Sequence, residues 1–252
     1  SGSAVFTTDY TVAGTLTILA GQSSGSVTLA SAGDLLDEND EIVTLDIGAV
    51  TNGTEFGSQQ QTVTILDDDA TPTVTLSVGA ASISETGGVT LVTATLTAAA
   101  GRDVTVFLSK TGTAAETNDY TLGSSIFIPT GTPAASITLV AVSDAKDESD
   151  ETVVIDITSV TNADEQGSQV KTVTIVDDEA LPTVTMFIDP SKLNINEEGG
   201  TTTIILSLTG ATERDVIVTL QKTGTAAETN DYTLVSTVTI PAGSPEVYTT
   251  LI

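Results

Sequence analysis

The thirteen residues KTGTAAETNDYTL occupy positions 110–122 and return unchanged at 222–234. They belong to a longer repeat. TVTILDDD at 62–69 reappears as TVTIVDDE at 172–179, TPTVTL at 71–76 as LPTVTM at 181–186, and DENDE at 37–41 as DESDE at 147–151, each 110 residues on. The thirteen-residue segment is displaced by 112 because LSVGAASISETGG has become the longer MFIDPSKLNINEEGG. TTDYT at 7–11 is an earlier copy of the motif's end. A period of this length is domain-sized, so each unit can bury its own core, unlike a solenoid rung. Boundaries after each acidic triplet give three pieces: 1–69, the C-terminal part of a unit; 70–179, a complete unit; and 180–252, the N-terminal part of another. Aligned on the middle unit, the two outer pieces overlap, so they are not halves of one domain. The chain reads as a window on a longer tandem array.

The units are built from strands. TVTLSV (73–78), VTLVTATLT (89–97), DVTVFLS (103–109), SSIFI (124–128), ASITLVAV (135–142), TVVIDIT (152–158) and KTVTIV (171–176) are β-branched and alternate apolar with Thr, Ser or charged residues. A period of two places one face in a core and the other in water. ETGG, TAAGRD, PTGTP and TNADEQG between them are turn chemistry. The expected fold class is all-β: tandem immunoglobulin-like antiparallel β-sandwiches arranged end to end.

Composition excludes several functions. Thirty-four acidic against seven basic residues give a net charge of −27, which opposes binding to nucleic acid or to an anionic membrane surface. There is no Cys for disulfides or thiolate sites, no His, and no apolar run long enough to span a bilayer. An acidic, Thr- and Gly-rich chain without Cys points to an extracellular bacterial protein.

The acids are placed, not scattered. In the middle unit Asp144, Asp147, Glu148, Asp150 and Glu151 crowd one loop, Asp177, Asp178 and Glu179 close the last strand, Glu85 ends an early strand, and Asp119 lies in the repeated motif. Turns at one end of a sandwich would bring these four groups together, and carboxylates so crowded repel unless a cation joins them. Ca²⁺ suits them, being a hard ion that takes six to eight oxygens at about 2.3–2.6 Å. A single acidic run is ordinarily a solvated surface, but here the whole pattern recurs at domain spacing. An EF-hand is excluded, because DESDETVVIDIT lacks Gly at the sixth loop position and runs straight into a strand.

ISETGG, NDYT, the acidic loop before TVVIDI, and KTVTIVDDE leading into the next PTVT together resemble the Calx-β domain of sodium/calcium exchangers and bacterial surface proteins. The resemblance covers the whole middle unit and the available parts of the others. It implies a seven-stranded sandwich binding Ca²⁺ at the end that faces the next domain. Carried over by position, the ligand candidates of the middle unit are Glu85, Asp119, Asp144, Glu148, Glu151, Asp177, Asp178 and Glu179. The first piece offers Asp9, Asp34, Glu38, Glu41, Asp67, Asp68 and Asp69, and the third Glu197 and Asp231. One departure concerns SDAK at 143–146 and GDLL at 33–36, which carry a single Asp where well-studied members have consecutive ones. That leaves fewer carboxylates, with Lys146 placed to take up part of the charge space.

Within the repeated motif, Asp119 and Asp231 are the expected ligands and Tyr120 and Tyr232 core anchors, while Lys110, Glu116 and Asn118 read as a solvated turn. Recent duplication then accounts for the identity of the copies. NGT at 52–54 reads as a hairpin turn, and GRD at 101–103 and ERD at 213–215 as strand caps. Two function classes follow. The preferred one is a calcium-stiffened structural or adhesive array on a bacterial cell surface or filament, with neighbouring repeats, other copies or a surface target as partners. The second is a regulatory Ca²⁺ sensor whose interdomain angle changes on binding. The short Pro-punctuated junctions DDDATPTV and DDEALPTV favour a rod. An enzyme is the weakest reading, since the carboxylates are crowded, repeated and lack an aromatic-lined groove.

Overall fold

The computed structural model describes residues 3–252, whose regular secondary structure is almost wholly strand. In chain order these are β1 (Tyr10–Val12), β2 (Leu29–Ser31), β3 (Glu41–Asp46) and β4 (Gln60–Ile65) in the first piece. The middle unit holds β5 (Thr73–Val78), β6 (Ser82–Ser84), β7 (Val89–Leu96), β8 (Val104–Gly112), β9 (Tyr120–Thr121), β10 (Ser125–Ile128), β11 (Ala134–Ala141), β12 (Lys146–Asp147), β13 (Glu151–Thr161), β14 (Asp164–Glu165) and β15 (Lys171–Val176). The third piece holds β16 (Val184–Ile188), β17 (Thr202–Leu208), β18 (Ala211–Thr212), β19 (Val216–Thr219), β20 (Thr237–Ile240) and β21 (Glu246–Leu251), with a short 3-10 turn at Pro190–Lys192.

Alternation decides which side chains meet. In β5, Val74 and Leu76 are buried while Thr75 and Ser77 point away; in β13, Val153, Ile155 and Ile157 are buried. Two five-stranded sheets result, ordered β10-β8-β13-β15-β6 and β14-β5-β7-β11-β9. Between them Val106, Ile126, Ile155, Val74, Val92 and Leu139 form a closed core. All seven strands expected in this unit are present. The pairing is antiparallel except at two outer edges, where β6 lies parallel to β15 and β14 parallel to β5. The unit's first extended segment therefore changes sheets between β5 and β6, and each half covers an otherwise open edge.

The outer pieces repeat fragments of this plan. β3 pairs with β4 as β13 does with β15, and β17 lies between β16 and β21 as β7 lies between β5 and β11. Val63, Met186 and Ile195 are exposed where their counterparts Val173, Leu76 and Ile83 are buried. Neither outer piece carries the full set of strands that covers those positions in the middle unit. No helix among the described residues is long and apolar enough to cross a membrane.

Candidate metal centre

The repeated motif is a built turn. Gly112 sits at φ +122°, and a Cβ there would lie 2.1 Å from the Thr152 carbonyl oxygen, so this crossing of β8 and β13 requires glycine. Lys110 Nζ donates to the Leu122 carbonyl at 2.9 Å and pairs with Glu116, fastening one side of the turn to the other. Lys222 repeats both contacts, with Leu234 and Glu228. Lys110 and Glu116 are thus a staple, which corrects the expectation of a merely solvated turn. Thr117 is held at φ 78°, a left-handed conformation rare for a β-branched residue, and Thr7 and Thr229 share it at φ 73° and 74°. Its N–H donates to the Tyr120 carbonyl at 2.7 Å, and Tyr120 is buried in the core. One carboxylate oxygen of Asp119 accepts the Ala115 N–H. That contact fixes Asp119 at the end of the sandwich.

Around it the middle unit gathers two groups of acids, Glu85 with Asp177 and Glu179, and Asp119 with Glu148 and Glu151. Within each group one oxygen per residue lies within 4.8 Å of the others, about twice a Ca–O distance. The loops are locked to one another. Glu148 N–H donates to Asp177 Oδ1 at 2.9 Å, Asp177 N–H to Asp150 Oδ1 at 3.3 Å, and Asp144 N–H to Glu85 Oε1 at 2.9 Å. Glu151 Oε2 and Glu179 Oε2, one from each group, are buried with no hydrogen-bond partner among the described residues. Buried acceptors are seldom left so, and a cation is what would satisfy them. Crowding shows in the acidities. Burial first, then Asp119, Glu148 and Glu213, pushes Glu151 up to about 7. Burial also raises Glu85, against the Asp144 N–H that lowers it, and Glu179, Asp144 and Glu148 add to the rise.

A family profile for the Calx-beta domain matches residues 67–179 and 182–240. This chain belongs to the Calx-beta domain family. No curated protein matches it. Solved structures similar to it include the "CBD12 from CALX1.2", with 18% identity, 71% of this chain and 74% of that chain covered and a TM-score of 0.38. The "Apo-form Calx CBD1 domain" has 19% identity, 42% and 99% coverage and a TM-score of 0.36. The "calcium binding domain CBD12 of CALX1.1" has 17% identity, 69% and 72% coverage and a TM-score of 0.37. Likenesses this loose say nothing of function, and membership rests on the family profile. Calx-beta domains are a calcium-binding family, and the two acid groups with their unpartnered oxygens fit such an ion.

The remaining predicted ligands fall in distinguishable places in the Calx-beta frame. Asp144 lines the pocket beside the second group, and its Oδ1 accepts the Lys146 N–H at 2.7 Å. Asp178 stands outside both groups, accepting the hydroxyls of Ser84 at 3.2 Å and Thr86 at 3.1 Å. In the first piece Asp9, Asp34, Glu38, Glu41, Asp67, Asp68 and Asp69 line one pocket. There the loop locks repeat: Glu38 N–H to Asp67 Oδ1 at 3.2 Å, Asp67 N–H to Asp40 Oδ1 at 3.1 Å, and Leu36 N–H to Asp34 Oδ1 at 2.8 Å. Glu197 is exposed, and Asp231 is exposed with one oxygen accepting the Ala227 N–H.

Sequence reasoning missed the residues that join one Calx-beta unit to the next. Asp147 is buried, pairs with Arg214 of the following unit, and accepts the Thr212 hydroxyl at 2.7 Å. The Thr212 hydroxyl and then Arg214 hold its carboxyl below the usual range against burial. Its counterpart Asp37 pairs with Arg102 and accepts the Thr71 hydroxyl at 3.3 Å. Main-chain bonds run alongside, from Gly101 N–H to the Asp37 carbonyl at 3.1 Å and from Glu213 N–H to the Asp147 carbonyl at 3.0 Å. GRD and ERD are therefore split in role. Asp103 and Asp215 do cap, accepting the Thr130 and Ala242 N–H groups, whereas the arginines reach back across the joint. The available signal was that both arginines of the chain stand at equivalent positions.

Proposed function

We propose that this chain is a calcium-stiffened structural or adhesive segment of a large extracellular bacterial protein, with Calx-beta units set end to end. The observation that carries the reading is the pair of buried, unpartnered carboxylate oxygens, Glu151 Oε2 and Glu179 Oε2, in two acid groups at the joint-facing end. Glu85, Asp177 and Glu179 would hold one ion, and Asp119, Glu148 and Glu151 another. The ion's contribution is charge: it offsets the mutual repulsion of carboxylates supplied by loops on different strands. The protein's own residues set the loops beforehand, through Glu148 N–H on Asp177 and Asp144 N–H on Glu85. The Asp147–Arg214 and Asp37–Arg102 pairs hold adjacent units in one orientation, which favours a rod over the regulatory sensor. Absence of Cys and the charge of −27 support an extracellular setting, with other copies or a surface target as further partners.

Thermal melts of the chain in Ca²⁺ and in chelator test the calcium part, since an ion that binds only the folded state at a hundredfold excess over its dissociation constant stabilises by about 2.7 kcal/mol. Superimposable melts with no heat of binding would remove calcium. Small-angle scattering on three complete units tests the rod, which predicts a linear particle in Ca²⁺ that loosens only modestly on chelation. A large change in maximum dimension would turn the assignment to the sensor.

A further inference from the structure

The two joints share a clasp but differ beside it. In the second, Lys146 Nζ lies 2.7 Å from Glu148 Oε1 of its own unit and 2.6 Å from Glu213 Oε1 of the next. The equivalent positions in the first joint are Leu36 and Gly101, so the cation and its outer partner are both absent there. The backbone is nonetheless alike, with the N–H of residue 36 or 146 bonded to Asp34 or Asp144. Where Glu213 projects in the second joint, the Glu38 side chain lies against Gly101 in the first, 2.2 Å from where a Cβ would stand. The first arrangement cannot take a side chain at 101 without moving Glu38, and the second cannot lose Lys146 without leaving Glu148 and Glu213 facing each other.

We infer that Lys146 is a resident cation of the second joint, which neutralises Glu148 and Glu213 across the boundary and competes with a divalent ion for the Asp119–Glu148–Glu151 group. An ion entering that group meets a carboxylate already paired, and binding weakens the hold of Lys146 on Glu148 while leaving its contact with Glu213. The two effects are reciprocal, because each cation lowers the affinity of the shared carboxylate for the other. The first joint, with no basic side chain at position 36, has no such competitor, so the array carries joints of unequal calcium dependence. This rests on the calcium reading above.

Calorimetric titration of the whole chain with CaCl₂ tests it, comparing wild type with Lys146→Leu, which installs the residue found at position 36, and with Glu213→Gln. Removing a unit charge a few ångströms from the site should tighten the affected binding step about tenfold in Lys146→Leu. Glu213→Gln leaves Lys146 wholly to Glu148 and should weaken the same step about two- to fivefold, the range of an exposed ion pair. In chelator, Lys146→Leu should melt lower than wild type, a readout independent of bound ion. Unchanged or weaker binding in Lys146→Leu, with wild type binding normally, overturns the competition and leaves the calcium reading standing. No binding by wild type overturns both.

Discussion

Arg214 reaches out of its own unit to pair with Asp147, and Arg102 does the same to Asp37, so each joint is closed by one guanidinium on one buried carboxylate. Arg214 is itself 46% exposed, and the water around it weakens the charge attraction. The carboxylate end is the one that cannot be abandoned, because the Asp147 side chain is only 3% exposed. Arg214→Ala leaves that carboxylate only the Thr212 hydroxyl as a side-chain partner, so the joint should open to let water reach Asp147 while each unit keeps its own core, and the relative orientation of the two is freed. Spin labels on either side of the joint would report this as a broadened distance distribution. A distribution as narrow as wild type would mean that the main-chain bonds alone fix the angle.

The acid groups separate ligands from bystanders more finely than position in the sequence does. Glu85→Gln and Glu151→Gln should each weaken Ca²⁺ binding at least about tenfold, a loss of roughly 1.4 kcal/mol. Asp178→Asn and Asp156→Asn should stay within a factor of about two, since Asp178 is occupied by two hydroxyls and Asp156 lies in mid-strand. Titration calorimetry decides it. Equal losses at all four positions would make net charge, not a defined site, the attraction for the ion.

Glu151 gives the ion-free protein an unusual pH response. Its carboxyl is raised from 4.5 to about 7 when folded, so between those values the folded state holds a proton that the unfolded state has released. Stability then falls as pH rises through that window. In chelator the melting temperature should be higher at pH 5.5 than at pH 8, and Glu151→Gln should flatten this slope. In excess Ca²⁺ the difference should shrink, because the ion favours the ionised carboxylate. A chelated protein equally stable at both values would place the proton elsewhere.

Gly112 and Gly224 form a natural control for the repeated motif. Both have positive φ, at 122° and 141°, but a Cβ at 112 strikes the Thr152 carbonyl whereas nothing lies within 4 Å of one at 224. Alanine at 224 should cost about 1–2 kcal/mol of backbone strain, and at 112 roughly 3 kcal/mol or more, since β13 must also shift. Denaturant unfolding of the two variants would show the gap. Equal losses would mean that the contact with β13 relaxes freely.

Strands were legible because each buries one face, and the rhythm of Val74 and Leu76 or Val153 and Ile155 is written in adjacent residues. The short strands β6, β9, β12 and β14 were not, since two or three residues cannot display a period; β6, β9 and β14 owe their state to the sheet edges they cover, and β12 to its pairing with β18 of the next unit. Part of the candidate site was visible as recurring acids. Within DESDE, however, nothing local distinguishes Asp147, which faces a guanidinium 67 residues on, from Glu148, which faces Asp119 and Glu151. Asp177 and Asp178 are neighbours in the chain, yet successive residues of an extended segment point to opposite sides, so only Asp177 joins Glu85 and Glu179.

The parallel pairing of β6 with β15 fixes how such an array would carry tension. The chain enters the unit through β5, crosses to the other sheet as β6 and leaves directly after β15, so once β5 has been pulled from β7 and β14 a pull on the two ends drags β6 and β15 past each other along their length. The bonds from Thr174 N–H to the Ala81 carbonyl and from Glu85 N–H to the Val176 carbonyl, both 2.9 Å, are then loaded together in shear, where a hairpin would unzip one bond at a time. Glu85 stands at the end of one sliding strand and Asp177 and Glu179 just beyond the end of the other. An ion shared by those three carboxylates would act as a rivet across the plane of slip, and withdrawing it would lower the force at which the unit yields.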